Sequence, residues 1–249
     1  MNDFTQLKSQ LKILKLSGAL ENLDMRVLEA KQNQLAYSEF LSMLLSDEIE
    51  LRQMRKVARL IQKAGLGSEK TLENFDFSFN PSIPAPKIRE LATCRFIDRG
   101  EGIFFIGPTG TGKTHLAKAL CHSACRKHYC VAFYSFHQFF NKLEQAAIAG
   151  REFKLIQYLS NVDLLAIDDF GFKKLTQQAA EFLYAIVDAR FGHKSIILTS
   201  NRAINDWLNI FPDPVIANTI LDRVAHHSFQ FIIKGQSYRK NFKPKFENA

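Results

Sequence analysis

The residues whose types and spacing most clearly predict chemistry form a glycine-rich stretch at 107–114, GPTGTGKT. Its glycine, lysine and threonine positions fit the P-loop pattern, in which backbone amides wrap closely around phosphate oxygens. An apolar run precedes the stretch and a helical pattern follows it, which is the context that a P-loop requires. Lys113 is therefore expected to reach the β- and γ-phosphates of ATP, and the Thr114 hydroxyl is expected to bind Mg²⁺.

An acidic pair, Asp168 and Asp169, directly follows the apolar run 164–167. Charge at the end of a buried strand contributes nothing to a core, so a functional reason is expected. In a P-loop protein one carboxylate holds Mg²⁺ and a second residue orients or activates the attacking water. Asp168 is accordingly predicted as a metal residue and Asp169 as a catalytic residue. The alternative is a solvated strand end.

A third polar group, TSNR at 199–202, also ends an apolar run. The Asn201 amide is expected to hydrogen-bond the γ-phosphate or the water, although the same residues in isolation would be a turn signal. Lys113, Asp169 and Asn201 are thus candidate catalytic residues. The nucleotide-binding positions are predicted to be Gly107, Pro108, Thr109, Gly110, Thr111, Gly112, Lys113, Thr114 and His115.

Five short apolar segments are predicted as strands, at 102–106, 131–136, 164–167, 195–199 and 229–233. Helical stretches separate them, including one at 113–127. Continuous apolar strands that alternate with helices predict an α/β fold with a parallel sheet covered on both faces. By analogy with hydrolysing ATPases, another strand is expected to lie between the P-loop strand and the acidic strand in the sheet.

The first part of the chain has a different pattern. Residues 4–64 contain no proline and only one glycine, Gly18, and their apolar residues recur at helical spacing. Three prolines at 81–86 then exclude a continuing helix. The sequence therefore predicts a helical N-terminal domain at 1–80, for contact with DNA or a partner, and an ATPase domain at 81–249.

Composition excludes several classes of protein. With 249 residues and 46% hydrophobic content the chain can bury a core, yet no run of 18 apolar residues is present and the first residues do not resemble a secretory signal. The four cysteines lack metal-site spacing, and Cys121 and Cys125, one helical turn apart on a predicted core helix, are interpreted as buried reduced thiols rather than as a redox or metal pair. A cytoplasmic protein without a membrane partner is expected.

The net charge of +8 is unevenly distributed. Residues 1–80 hold 11 basic and 11 acidic residues, whereas residues 81–249 hold 22 basic and 14 acidic residues, so the second part carries the whole excess. Such a charge favours an anionic partner beyond ATP, with nucleic acid as the obvious candidate. General solubility is the alternative explanation.

Taken together, these motifs resemble the IstB-like ATP-binding family, the helper ATPases encoded by insertion sequences. They are also similar to the related DnaC-type helicase loaders, and both groups belong to the AAA+ class. The resemblance covers nearly the whole chain, and its last two motifs are more specific than the P-loop. The matching stretches are GPTGTGKTHLA from Gly107, DLLAIDDFG from Asp163, SIILTSNR from Ser195, ILDRVAHH from Ile220 and GQSYR from Gly235.

The resemblance implies an AAA+ P-loop NTPase fold: a five-stranded parallel sheet sandwiched by helices, preceded by a small all-helical domain. Since the sequence stops soon after the fifth strand, no separate C-terminal lid is expected. Such proteins form homo-oligomers with ATP at subunit interfaces, and Arg223 matches their arginine finger. Without the family, Arg223 would be interpreted as a surface ion pair with Asp222. Many helper ATPases carry Asp-Glu at 168–169, so the shorter Asp169 implies slower hydrolysis.

The resemblance further implies ATP-dependent assembly on double-stranded DNA and assistance to a partner transposase. Two basic segments are candidates for the DNA contact. The first, here called the basic stripe, lies at helical spacing and consists of Arg52, Arg55, Arg59, Lys56 and Lys63. The second, the basic tail, contains Lys234, Arg239, Lys240, Lys243 and Lys245. A solvated helix face is the alternative for the stripe.

Two other functions compete with transposition. One is a replicative helicase loader of the DnaC type, whose N-terminal region would bind a helicase or single-stranded DNA. The other is a metabolic P-loop kinase, against which the Asn201 and Arg223 elements and the lack of a second-substrate lid argue. ATP-driven assembly on duplex DNA would distinguish the helper from the loader.

Overall fold

The computed structural model describes residues 3–238 of the chain. Within this range the helices are α1 (Asp3–Ile13), α2 (Ser17–Gln32), α3 (Tyr37–Lys63), α4 (Ala85–Leu91), α5 (Arg95–Asp98), α6 (Lys113–Arg126), α7 (Phe136–Ile148), α8 (Glu152–Asn161), α9 (Gln177–Arg190) and α10 (Pro214–His226). A 3₁₀ helix, Ile204–Ile210, precedes α10. The strands are β1 (Gly102–Ile106), β2 (Val131–Ser135), β3 (Leu164–Asp168), β4 (Ser195–Ser200) and β5 (Ser228–Ile232).

The five strands form one sheet in the order β2-β3-β4-β1-β5, and every neighbouring pair is parallel. The predicted parallel α/β sheet is therefore confirmed. The prediction that another strand separates the P-loop strand from the acidic strand is confirmed as well, because β4 lies between β3 and β1. The carboxyl ends of parallel strands share one edge of a sheet, where ligands bind in open α/β folds.

Helices cover both faces of this sheet. Successive side chains of a strand point to opposite faces, and in β1 all five residues are buried. Ile103 and Phe105 belong to a hydrophobic cluster that includes Leu116 and Leu120 of α6. Phe104 and Ile106 belong to a second cluster with residues of α7, α9 and α10. Burial on both faces explains why the strand reads as an unbroken apolar run.

Strand β2 ends one residue earlier than its apolar pattern predicts. Ser135 is the N-cap of α7, and its hydroxyl accepts a hydrogen bond from the Gln138 amide at 3.3 Å. The Gln138 side chain accepts the Ser135 amide in return, at 3.1 Å. This capping box satisfies two amides at the helix start, so Phe136 begins the helix although its apolar side chain suits a strand.

The chain divides into two compact units between Arg59 and Leu60. This division lies inside α3, upstream of the proline-rich segment where the sequence suggested a boundary. The reason is packing: Ala64, Leu66 and Ile83 are buried in the same cluster as the β1 residue Ile103. Residues between α3 and the prolines thus belong to the core of the second unit.

The first unit has a small apolar core and a buried carboxylate. Leu11, Ala19, Leu23 and Leu44 form the core. The Glu48 side chain, 4% exposed, accepts the amide of Gly18 at 2.6 Å. The first amides of a helix have no partner within the helix, and α2 has no side-chain cap of its own. Glu48 therefore completes the start of α2 from a distant position in the sequence.

Two arginines of the basic stripe make contacts within the first unit, one of them with the Glu48 carboxylate. Arg52 donates to Glu48 at 2.6 Å, and Arg55 donates to the Ser17 hydroxyl at 2.9 Å. These two arginines therefore stabilise the first unit from within. Of the basic tail, Arg239, Lys240, Lys243 and Lys245 lie outside the described residues. Among the helices of residues 3–238, none combines the length and apolar content that crossing a bilayer requires.

Candidate nucleotide-binding site

The glycine-rich stretch forms a tight loop between β1 and α6. Gly107 has a φ of 154° and Gly112 a φ of 100°, and L-residues rarely adopt such positive values. A Cβ at Gly107 would overlap the carbonyl oxygen of Ile233, while one at Gly112 would lie 2.9 Å from the Phe75 ring. Glycine is needed at both positions because the chain turns sharply where other residues approach it.

Lys113 begins α6 and points back across this loop. Its ammonium group donates to the carbonyl oxygens of Gly107 and Pro108, both at 2.7 Å, and the residue is 5% exposed. The Thr111 hydroxyl also donates to Pro108, at 2.9 Å. A positive charge is thereby fixed at the helix N-terminus, where the helix dipole favours anions.

The acidic pair lies beside the loop. The Thr114 hydroxyl donates to Asp168 Oδ1 at 2.9 Å, and Asp168 is 7% exposed. Residues 3–238 contain no cluster of three or more His, Cys, Asp or Glu side chains arranged for a metal ion. One hydroxyl and one carboxylate nevertheless suit Mg²⁺ at a nucleotide site, because phosphate oxygens and waters provide its other ligands.

A cavity of about 410 Å³ opens at this edge of the sheet. It brings together most of the predicted residues: its lining includes Lys113, Asp169 and Asn201, together with loop positions from Thr109 to His115. Gly107, Pro108 and Asp168 do not line the cavity directly, but the first two contact Lys113 and the third contacts Thr114. The volume is in the range of small-molecule sites.

Comparison with known proteins identifies the family. The sequence matches the IstB-like ATP binding protein family over residues 9–245. The chain belongs to this family. It is 38% identical over 245 residues to the ATP-binding protein of insertion sequence IS21 from Pseudomonas aeruginosa, covering 98% of this chain and 91% of that protein. It is 40% identical over 210 residues to its counterpart in IS5376 from Geobacillus stearothermophilus, covering 84% of each.

A solved structure supports the fold. The DnaC helicase loader superposes with a TM-score of 0.52 and 22% identity, covering 60% of this chain and 87% of that chain. At that identity the likeness concerns the fold alone. The chain is thus an IstB-like protein with the AAA+ P-loop fold, as its motifs predicted.

Residues outside the predicted nucleotide-binding and catalytic positions complete the site of this IstB-like protein. The cavity lining also contains eight residues outside the predicted set, namely Lys70, Asn74, Phe75, Asp76, Phe79, Asn80, Phe172 and Tyr238. Most of them come from the segment 67–80, here called the linker segment. Its aromatic-rich sequence FDFSF at 75–79 was a usable signal, because aromatic side chains beside a phosphate loop suit a nucleobase.

Hydrogen bonds and an ion pair hold the linker segment against one side of α6. His122 donates to the Gly67 carbonyl at 2.7 Å, His115 donates to the Thr71 carbonyl at 2.8 Å, and Arg126 pairs with Glu73 at 2.6 Å. Hydrogen bonds from Thr71, from its own amide and from Arg126 lower the pKa of Glu73 to about 2. Burial lowers the pKa of His115, which favours the neutral ring. His115 thus positions the linker segment as well as lining the cavity.

Part of the GQSYR motif, at 235–239, contacts the P-loop and the linker segment. The Tyr238 amide donates to the Gly110 carbonyl at 2.9 Å, and the Tyr238 ring contacts Phe79 edge-on with centroids 4.7 Å apart. Asn80 donates to the Lys234 carbonyl at 2.8 Å. The chain after β5 is therefore tied both to the P-loop and to the linker segment. Arg239, the last residue of the motif, lies outside the described residues.

Arg223 is not among the residues that line this cavity. It lies on α10, where its guanidinium group pairs with Asp188 of α9 and is 5.2 Å from the centre of the Tyr184 ring. Asp222, its neighbour in sequence, instead pairs with His226 at 2.8 Å. The structure therefore does not bring Arg223 to the site of its own chain.

Proposed function

We propose that this chain hydrolyses ATP with Mg²⁺, assembles on duplex DNA with ATP between neighbouring copies, and assists the transposase of its insertion sequence. The observation that carries the hydrolytic part is the position of Asp169. It follows β3 and lines the same cavity as Lys113 and Asn201, while Asp168 contacts Thr114. A site for binding alone would not need a second carboxylate at that position.

In this proposal each polar group has one task. Lys113 stabilises the charge on the β- and γ-phosphates. Thr114 and Asp168 hold Mg²⁺, which neutralises phosphate charge when it is bound. Asp169 orients and polarises the attacking water, and Asn201 donates a hydrogen bond to the γ-phosphate or to that water.

The nucleobase is proposed to lie against the linker segment. Because Lys113 and Asp169 fix the phosphate end of the cavity, the base must occupy another part of the lining. Phe75, Phe79 and Tyr238 supply aromatic surface there, and stacking on such rings is a common way to hold a base.

Asp169→Asn is expected to keep ATP bound and to lower its hydrolysis by about 10²–10⁴-fold, which is the usual contribution of a general base. An amide has nearly the same shape as the carboxylate but cannot accept the proton of water. Binding of a fluorescent ATP analogue and release of phosphate measure the two effects separately. Glu181→Gln is the control, because it makes the same change at an exposed carboxylate on α9. Parental turnover in Asp169→Asn would remove the hydrolytic assignment.

The DNA part of the proposal rests on the family and on the charge of +8. The insertion-sequence relatives favour the helper function, and the basic excess suits a phosphate backbone. Arg52 and Arg55 already stabilise the first unit. The Lys63 ammonium group lies over the Tyr158 ring, 5.4 Å from its centre. The exposed Lys56 and Arg59 are therefore the stripe residues best suited to a DNA contact.

Binding to duplex DNA is expected to require ATP, to be largely independent of sequence, and to weaken with salt. Removing one contact to a phosphate reduces the steepness of log affinity against log salt by about 0.9. Fluorescence anisotropy with labelled duplexes of increasing length tests this in the parent, in Lys56→Ala with Arg59→Ala, and in Lys243→Ala with Lys245→Ala. The double substitution that makes log affinity depend less steeply on log salt identifies the segment that contacts DNA. Affinity that is indifferent to salt would contradict the electrostatic contact with DNA. ATP-dependent binding to a hexameric helicase, instead of to duplex DNA, would contradict the helper assignment.

A further inference from the structure

Thr199, the second-last residue of β4, occupies an unusual position beside the acidic pair. It is fully buried, at 0% exposure, in the strand that lies between β1 and β3. Strand β4 pairs with β3 in parallel, which places the ends of the two strands side by side. A hydroxyl at such a depth needs polar partners, and its partners are the two residues of the acidic pair.

The Thr199 hydroxyl makes two hydrogen bonds of opposite sense. It donates to Asp168 Oδ1 at 2.5 Å and accepts the Asp169 amide at 2.9 Å. A hydroxyl has one proton to donate and lone pairs that accept, so both capacities are used at once. Valine, which has the same shape, could make neither bond.

The main chain of Thr199 adds a third contact. Its carbonyl oxygen accepts the amide of Phe170 at 2.7 Å. Asp169 is thereby held from both sides, through its own amide and through that of the next residue. The peptide unit on each side of this catalytic candidate is fixed to one threonine.

Asp169 needs such support because its backbone is in the left-handed region, with a φ of 55°. Non-glycine residues are unfavourable there, although aspartate tolerates the region better than most. The chain turns away from β3 at this residue. Asp169 is therefore exposed to the cavity, although Asp168 directly before it is buried. A strained residue persists only where its surroundings fix it.

The same oxygen of Asp168 also accepts the Thr114 hydroxyl, at 2.9 Å. Thr199 and Thr114 therefore approach Asp168 Oδ1 together. The orientation of the carboxylate proposed to hold Mg²⁺ thus depends on the residue that also fixes the turn at Asp169.

We propose that Thr199 is the positioning residue of this site: its one hydroxyl sets the orientation of Asp168 for Mg²⁺ and holds Asp169 in the turn that presents it to the attacking water. This inference rests on the proposed ATP hydrolysis. Thr199 does not touch the nucleotide in this scheme, so its removal is expected to affect the chemical step and the Mg²⁺ requirement more than the affinity for ATP.

Two pairs of proteins isolate the hydroxyl. Thr199→Val differs from the parent only by a methyl in place of the hydroxyl, and Thr199→Ala differs from Thr199→Ser only by the absence of the hydroxyl. We expect kcat to fall by about 10²-fold in the valine and alanine variants, the size associated with a misplaced catalytic group. Thr199→Ser should retain most of the parental kcat. The KM for ATP should change little, whereas half-maximal activity should require more Mg²⁺.

Thr219→Val is the matched control, because the Thr219 hydroxyl donates to the Val215 carbonyl within α10. Circular dichroism checks folding, and if Thr199→Val does not fold, the alanine and serine pair decides. Asp169→Asn is measured in parallel. The decisive outcome against the proposal has three parts: Asp169→Asn is inactive, Thr199→Val has the kcat and Mg²⁺ requirement of the parent, and Thr199→Ala has those of Thr199→Ser. In that case the positioning role is wrong, and hydrolysis by this site stands.

If the parent itself releases no phosphate, the proposed hydrolysis fails, and the Mg²⁺ dependence of ATP-analogue binding still tests Thr199. The valine variant should then need more Mg²⁺ than the parent for the same binding. An unchanged requirement in that assay would overturn the inference separately.

Discussion

Lys113→Ala is expected to lower ATP turnover by about 10²–10³-fold, as the loss of a fixed charge-stabilising donor does in other enzymes. The ammonium group lies at the centre of the loop, held by the carbonyls of Gly107 and Pro108 at 2.7 Å. Alanine cannot stabilise the negative charge on the β- and γ-phosphates. Affinity for ATP should fall as well, since that charge is present before the reaction begins.

The first helical turn should survive this change, because alanine favours a helix and Gly112 already provides the turn before it. Phosphate release and binding of an ATP analogue are measured at matched circular dichroism. Lys127→Ala, an exposed lysine just after α6, removes a charge without touching the cavity lining. Equal turnover in Lys113→Ala and in Lys127→Ala would show that the loop does not act on the phosphates.

The sequence was most informative where function requires particular residue types at fixed spacing. The P-loop glycines, Lys113 and the acidic pair could be placed because each belongs to a short local pattern with a chemical reason. Strands β1, β3 and β4 could be placed because burial on both faces leaves unbroken apolar runs. The presence of one strand between the acidic strand and the P-loop strand also followed, by analogy with other ATPases that carry the same motifs.

Contacts between distant residues could not be predicted in this way. Nothing near Glu48 in the sequence indicates that it caps α2 through Gly18. Arg190 is similar: it ends α9 in a charged stretch, yet it is 1% exposed. Its guanidinium group donates to the carbonyls of Leu159 at 2.6 Å, Val162 at 2.8 Å and Ser195 at 2.5 Å. Such positions are decided by packing, which overrides local preference.

The candidate site shows the same division. The sequence predicted that Asp168 and Asp169 lie beside the P-loop, where the structure has them. Thr199, the residue proposed to position them, appeared in the sequence only as part of a polar strand end. The sequence analysis assigned the linker segment to the helical N-terminal domain, whose boundary it placed at the prolines of 81–86 because they exclude a continuing helix. Prolines do not exclude packing, and Phe75 and Phe79 line the cavity.

A large effect is also expected at Arg223, which lies outside the P-loop. An arginine finger places a fixed positive charge where the γ-phosphate becomes more negative, and its contribution reaches about 10³-fold or more in rate. In the present structure Arg223 pairs with Asp188 and packs on Tyr184, and it does not line the cavity of its own chain. If it acts as a finger, it must act on the nucleotide of a neighbouring copy.

Arg223→Ala should therefore bind ATP almost normally and hydrolyse it poorly, and Asp188→Ala serves as the matched control. The control removes the same ion pair but leaves the guanidinium group in place. If the loss of activity in Arg223→Ala came from the ion pair alone, Asp188→Ala would share it. If the guanidinium group itself is needed, Asp188→Ala should retain far more activity than Arg223→Ala.

Mixing Arg223→Ala with Lys113→Ala tests whether the site is shared between copies. Each variant is expected to be nearly inactive alone, but in a mixed assembly the intact P-loop of the first can face the intact arginine of the second, so part of the activity should return. Sedimentation first establishes that the two variants assemble together. If they do and no activity returns at any mixing ratio, the shared site is refuted. If Arg223→Ala alone matches the parental rate, Arg223 is not a finger.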